Sequence, residues 1–102
     1  MSKIAKKLQK AELLRINTEK AVAIANKNRF TYCGFDDSNS KVSFYDQDAS
    51  YRFDVFATTM TIGVISMLTR GDQVFYRNQT FEDLEKLMIR HNINRRKLKK
   101  GY

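Results

Sequence analysis

Hydrophobic positions recur at helical spacing over the first 27 residues and then switch to alternation. Residues 2–27 contain neither Gly nor Pro and are rich in Ala, Leu, Lys and Glu, all strong helix formers. At about 100° per residue, Ile4, Leu8, Ala11 and Val22 share one narrow stripe, with Leu14 and Ala25 at its edge. Lys3, Lys6, Lys7 and Lys10 cluster on a neighbouring face at i, i+3, i+4 and i+7. Leu13, Ile16 and Ile24 lie off the stripe. The spacing predicts one long helix with apolar residues on more than one side. One side would pack on the domain and another on a second copy of the chain.

From Arg29 the residues favour strands. Arg29–Asp36 is rich in Phe, Thr, Tyr and Cys, and Asp37-Ser38-Asn39-Ser40 is a turn cluster. Lys41–Asp46 alternates, with Val42 and Phe44 on one face and Ser43 and Tyr45 on the other. Gln47-Asp48-Ala49 makes the next turn. In Ser50–Ala57, Tyr51, Phe53 and Val55 alternate with Arg52, Asp54 and Phe56. Thr58–Thr69 is β-branched enough for a strand, although a helical turn around Met60, Val64 and Met67 is an alternative. A single strand from Ser50 to Thr69 would far exceed the usual length, so a bend is expected near Thr58–Thr61. Arg70-Gly71-Asp72 reads as a hairpin turn and Gln73–Arg77 as the closing strand.

The final helix has a start signal. Thr80 at the N-cap and Asp83 three residues later form a near capping box. Phe81, Leu84, Leu87, Met88 and His91 then make an apolar stripe. The stripe ends near Asn92, where the helix is expected to fade, leaving residues 93–102 as a mobile basic arm. The order is α-β-β-β-β-β-α: an α+β domain over residues 1–92, with an antiparallel sheet of four to five strands and a basic tail. Its short loops require antiparallel pairing.

Composition narrows the class. In 102 residues, 42 % hydrophobic and 12 % aromatic content supports one core and excludes a disordered chain. No apolar run reaches the roughly 18–20 residues of a membrane span. There is no apolar leader segment, and the lone Cys33 has no partner for an internal disulfide. A cytoplasmic location without membrane contact is the expectation.

Charge adds the functional signal. Residues 1–29 carry eight Lys/Arg against two Glu, residues 30–80 four against six Asp, and residues 81–102 seven against three acids. Basic ends around a mildly acidic middle point to a polyanionic partner. The contacts expected for nucleic acid, RNA or DNA, are Lys3, Lys6, Lys7 and Lys10 with Arg95, Arg96, Lys97, Lys99 and Lys100. Aromatics interleaved along the strands would add stacking if any face of the sheet stayed open, but core packing explains most of them better. The basic-Gly-aromatic signature of RNA-recognition motifs is absent.

Candidate catalytic chemistry is thin. His91 is the single histidine and reads as a half-buried residue at a helix C-terminus, and Cys33 as a small core residue. Asp36-Asp37 and Asp46/Asp48 fall in turns, where Asp hydrogen-bonds backbone. No metal-ligand spacing and no Gly-rich phosphate loop is present. The chain reads as a non-enzymatic nucleic-acid-binding accessory protein that needs no cofactor and self-associates through its first helix. Two other readings stand beside it. One is a phage or mobile-element protein that inhibits a host protein through an acidic surface. The other is an oligomer that holds a phosphorylated nucleotide with Arg52, Arg70, Arg77, Arg90, Tyr45 and Tyr76.

Overall fold

The computed structural model describes residues 3–69 and 71–100, with backbone alone for residues 3–5, 7 and 96–100. Helix α1 spans Lys3–Lys27. Strands β1 (Thr31–Asp36), β2 (Lys41–Tyr45), β3 (Tyr51–Phe56), β4 (Thr61–Ser66) and β5 (Val74–Tyr76) follow, and helix α2 spans Phe81–Lys100. The strands form one antiparallel meander in the order β1-β2-β3-β4-β5. The expected bend is the turn over residues 57–60, closed by a bond from the Met60 N–H to the Phe56 carbonyl at 2.8 Å. Residues 61–66 are strand.

Period-2 alternation sorts the sheet into two faces. Val42, Val55 and Ile62 stand opposite one another in neighbouring strands, as do Phe44, Phe53 and Val64. These side chains meet Ala21 and Ala25 of α1 and Leu84 and Met88 of α2 to form the core. Phe44 is fully buried and Phe53 nearly so, each contributing about 1.5–3 kcal/mol by removal from water. Alanines at 21 and 25 let α1 approach closely. Both helices therefore cover the same face, and the other face carries no helix.

Thr80 caps α2 as expected. Its hydroxyl accepts from the Asp83 N–H at 3.0 Å, and the Asp83 carboxylate accepts from the Thr80 N–H at 2.9 Å. This reciprocal pair holds the Asp83 carboxyl below its ordinary range.

Three expectations need correction. First, the α1 stripe is divided. Ala25 is buried and Val22 packs on the core, but Leu8 is 65 % exposed and Ala11 is also exposed. The sheet ends before α1 does, so its N-terminal half projects beyond the body. Ile24, expected off the stripe, packs against the core. Second, α2 continues to Lys100 instead of fading near Asn92. Third, Cys33 is exposed, because β1 slips its register between Tyr32 and Gly34 and leaves Cys33 at the irregularity.

The helices share a direction. Lys20 lies over the Phe81 ring, Lys27 pairs with Glu85 at 3.4 Å, and Asn92 donates to the Asn28 carbonyl at 2.8 Å. Higher numbers on one helix thus meet higher numbers on the other. The free half of α1 and the last turns of α2 leave at opposite ends of a molecule measuring 61 × 25 × 21 Å.

Candidate nucleic-acid interface

The uncovered face of the sheet is built from three rows. Lys41, Phe56 and Thr61 form one; Ser43, Asp54, Gly63 and Phe75 the next; Tyr45, Arg52 and Ile65 the third. Asp54 stands at the centre and is 1 % exposed although no helix covers it. Its own neighbours close over it. Ser43 Oγ donates to Oδ1 at 2.6 Å, Arg52 Nε to Oδ1 at 3.0 Å, Arg52 Nη2 to Oδ2 at 3.1 Å and Gln73 Nε2 to Oδ2 at 2.7 Å. A buried carboxylate with every acceptor site used is a structural clamp. It lays the Arg52 guanidinium flat on the sheet.

Two shallow clefts flank this clamp. One, about 310 Å³, is lined by Cys33, Lys41, Ser43, Tyr45 and Arg52, with Asp36 at its rim. The Asp36 carboxyl lies below its ordinary range because Ser38 and Asn39 donate to it. Partial burial of the Cys33 thiol, reinforced by the Asp54 charge, pushes its pKa up. A raised value disfavours the thiolate, the reactive form. The second cleft, about 440 Å³, is lined by Phe56, Thr59, Thr61, Phe75, Arg77 and Asn78. The Phe56 and Phe75 rings form a tilted aromatic pair with centroids 6.3 Å apart.

The cations predicted from sequence occupy different places. Lys6 and Lys10 are exposed on the projecting half of α1 and make no ion pair among the described residues. The side chains of Lys3, Lys7, Arg96, Lys97, Lys99 and Lys100, and Arg70 altogether, lie outside the described residues. Arg95 is engaged within the fold. Its Nη2 pairs with the Asp48 carboxylate, and its guanidinium sits 5.7 Å from the centre of the Tyr51 ring. Donation from Ser50 and Arg95 holds the Asp48 carboxyl well below the usual carboxylate range. By helix rise, Lys6 and Arg95 stand on the order of 40 Å apart, so one continuous basic surface does not form within a single chain.

The residues of the nucleotide-pocket reading do not converge. Tyr45, Arg52 and Arg77 share the open face; Tyr76 projects to the helix side, opposite Ile62, and Arg90 stands exposed on α2.

Sequence reasoning missed the role of His91. It lies mid-helix, with Nε2 2.8 Å from Asp46 Oδ2, surrounded by the rings of Tyr51, Phe53 and Phe30. Asp46 also accepts from the Ser50 N–H at 2.8 Å and the Tyr51 N–H at 3.0 Å. The pair fastens α2 to the β2–β3 turn. Its sequence signal was an Asp in a turn and a His on an apolar stripe, with nothing to link them. Ser50 Oγ donates to Asp46 and Asp48 and not to His91, so the three residues do not form a nucleophile–base pair.

Among the described residues no cluster of three or more His, Cys, Asp or Glu is arranged to hold a metal ion, and no helix is long and apolar enough to cross a membrane. No family model, curated protein or solved structure matches the chain.

Proposed function

We propose that this protein is a non-enzymatic nucleic-acid-binding protein that grips phosphates with the free half of α1 and the end of α2, and lays the strand along the open sheet face. One observation carries the reading: its acids are engaged internally and many of its cations are not. Glu12 and Glu19 pair with Arg15, Asp54 with Arg52, Asp48 with Arg95, Glu82 with Lys86 and Glu85 with Lys27. Asp46 holds His91, Asp83 caps α2, and Asp36 is held by Ser38 and Asn39. Only Asp37 and Asp72 have no partner among the described residues. Lys6, Lys10, Lys41 and Arg77, in contrast, make no ion pair there. Pairing leaves the net charge of +8 unchanged but concentrates the excess on cations that no described acid neutralises locally.

Placement strengthens the point. The first turn of α1 contains no acidic residue, and cations at a helix N-terminus oppose the macrodipole. A lysine-rich start is thus unfavourable for the helix itself and favourable for an anionic partner. Two grips on the order of 40 Å apart would span up to about twelve nucleotides of a strand that keeps the 3.4 Å spacing of a stacked helix, and fewer of an extended one.

The test is fluorescence anisotropy with labelled RNA and DNA of 6 and 16 nucleotides across a salt series. The longer probe should bind more tightly, and Lys6→Gln/Lys10→Gln should weaken binding and flatten the log affinity–log salt slope by up to about two. Absence of binding to every probe would shift the reading to an acidic protein surface.

A second observation supports self-association as well. Leu13 is 54 % exposed on the same projecting half-helix as Leu8, and an apolar groove of about 430 Å³ runs between α1 and β1, lined by Ala11, Leu14, Tyr32 and Phe35. Pairing of two such basic helices would tighten with salt. Light scattering at monomer mass throughout a salt series would refute it.

A further inference from the structure

We infer that the cleft lined by Phe56 and Phe75 is a seat for one unpaired nucleobase, with Arg77 on the adjoining phosphate. The inference rests on the nucleic-acid reading and makes it specific: the preferred partner is single-stranded.

Phe75 lies in the edge strand β5 and is 48 % exposed, with one edge of its ring against Gly63 across the ladder. Phe56 packs beside it, the ring centroids 6.3 Å apart and the planes tilted by 51°, so the two rings form one aromatic surface. A flat, apolar solute can lie on the Phe75 ring with its edge toward Phe56. The rim is polar and carries both donors and acceptors. Asn78 offers a carboxamide and Thr59 and Thr61 offer hydroxyls, the latter two 3.1 Å apart. Asn78 has φ of 55°, a left-handed conformation that Asn adopts more readily than most residues, and it turns the chain just beyond β5. The side chain of Arg77 has no hydrogen bond or ion pair among the described residues.

This combination suits a base better than an aliphatic ligand. Ring faces accept any base by stacking, a carboxamide can pair with a base edge, and a guanidinium takes phosphate in a forked geometry. A paired base in a duplex hides its faces and cannot enter. The clamp on Asp54 supports the floor, because Gln73 crosses Gly63 to reach it and Arg52 is held flat.

The test compares three probes with the full chain: a 16-nucleotide oligothymidylate, the same backbone with abasic sites throughout, and a 16-base-pair duplex. A second readout is 2-aminopurine placed within the oligothymidylate, whose fluorescence falls on stacking. Oligothymidylate should bind best, with 2-aminopurine quenched. Phe75→Ala should cost at least about fivefold on oligothymidylate, relieve the quenching and leave the abasic probe unchanged. Phe75→Leu keeps the apolar bulk and should behave like Phe75→Ala if the ring face is what matters. Equal binding of oligothymidylate and abasic backbone, unaffected by Phe75→Ala, would overturn the base seat while leaving the phosphate grip intact. Failure of all three probes to bind would overturn both.

Discussion

Gln73 Nε2 reaches Asp54 Oδ2 at 2.7 Å by crossing directly over Gly63, the residue opposite Asp54 in the ladder. A β-carbon at position 63 would lie 2.4 Å from Gln73 Nε2 and 2.9 Å from its Cδ. Gly63→Ala must therefore move the amide off the carboxylate. It should cost about 1–3 kcal/mol, the range for depriving a buried acceptor of one partner. Gln73→Ala should cost a similar amount. Gly63→Ala in the Gln73→Ala background should cost less, since only the edge of the Phe75 ring, 3.2 Å from the new β-carbon, remains in the way. Urea unfolding of the four proteins measures the cycle, and strict additivity would contradict the crossing geometry.

The Asp46–His91 pair predicts unequal effects from its two members. Asp46→Ala strands the Ser50 and Tyr51 N–H groups and His91 together and should cost about 3 kcal/mol or more. His91→Gln retains a donor and loses ring packing, at about 1–2 kcal/mol. Neither residue faces the open sheet, so nucleic-acid affinity of the folded His91→Gln protein should stay within a few-fold of the parent. Cys33 lines a cleft of the open face, but Cys33→Ser exchanges one small polar group for another and should also stay within a few-fold. Complete loss of activity with an intact fold in either would reopen the question of catalysis.

Stability should fall in acid with a contribution from Asp48. Its carboxyl is held well below the ordinary range by Ser50 and Arg95, so the folded state binds its proton less readily than the unfolded state. That contribution is complete above the unfolded value near 3.9 and disappears as pH falls toward the folded value. Asp48→Asn should flatten the loss of Tm below about pH 4 and leave the curve unchanged in shape above pH 6. Thermal unfolding from pH 2 to 7 checks it, and an identical acid limb in both proteins would argue against the pair.

Two truncations separate structure from binding at the C-terminus. Removing residues 96–102 keeps Arg95 and should leave the unfolding midpoint nearly unchanged while reducing the salt slope of nucleic-acid binding by up to about one per lost contact. Removing residues 93–102 also deletes the Arg95–Asp48 pair and the cation over Tyr51. It should lower stability by a further ~0.5–1.5 kcal/mol. Equal stability of the two truncated chains would mean that Arg95 contributes nothing to the fold.

Local chemistry was sufficient for the order of the elements and for most of their bounds, though not for the end of α2. Uninterrupted helix formers set α1, alternation set β2 and β3, turn residues set the hairpins, and Thr80 with Asp83 started α2, because each of these signals acts within a few residues. What lay beyond reach depended on where chains end in space. Ile4, Leu8 and Ala11 continue the stripe of Val22, but only the length of the sheet decides that α1 outruns its support and leaves Leu8 in water. Asp54 looked like the polar half of an alternating strand; its burial required Gln73, 19 residues away, and a glycine between them to let it pass. Arg95 resembled every other cation of the tail until Asp48 came within reach. The two basic ends look alike in sequence, yet parallel packing of α1 and α2 sends them in opposite directions. The sheet face left open follows from both helices choosing Val42, Phe44, Phe53 and Val55. Such choices are made by long-range packing, which residue type and spacing do not encode.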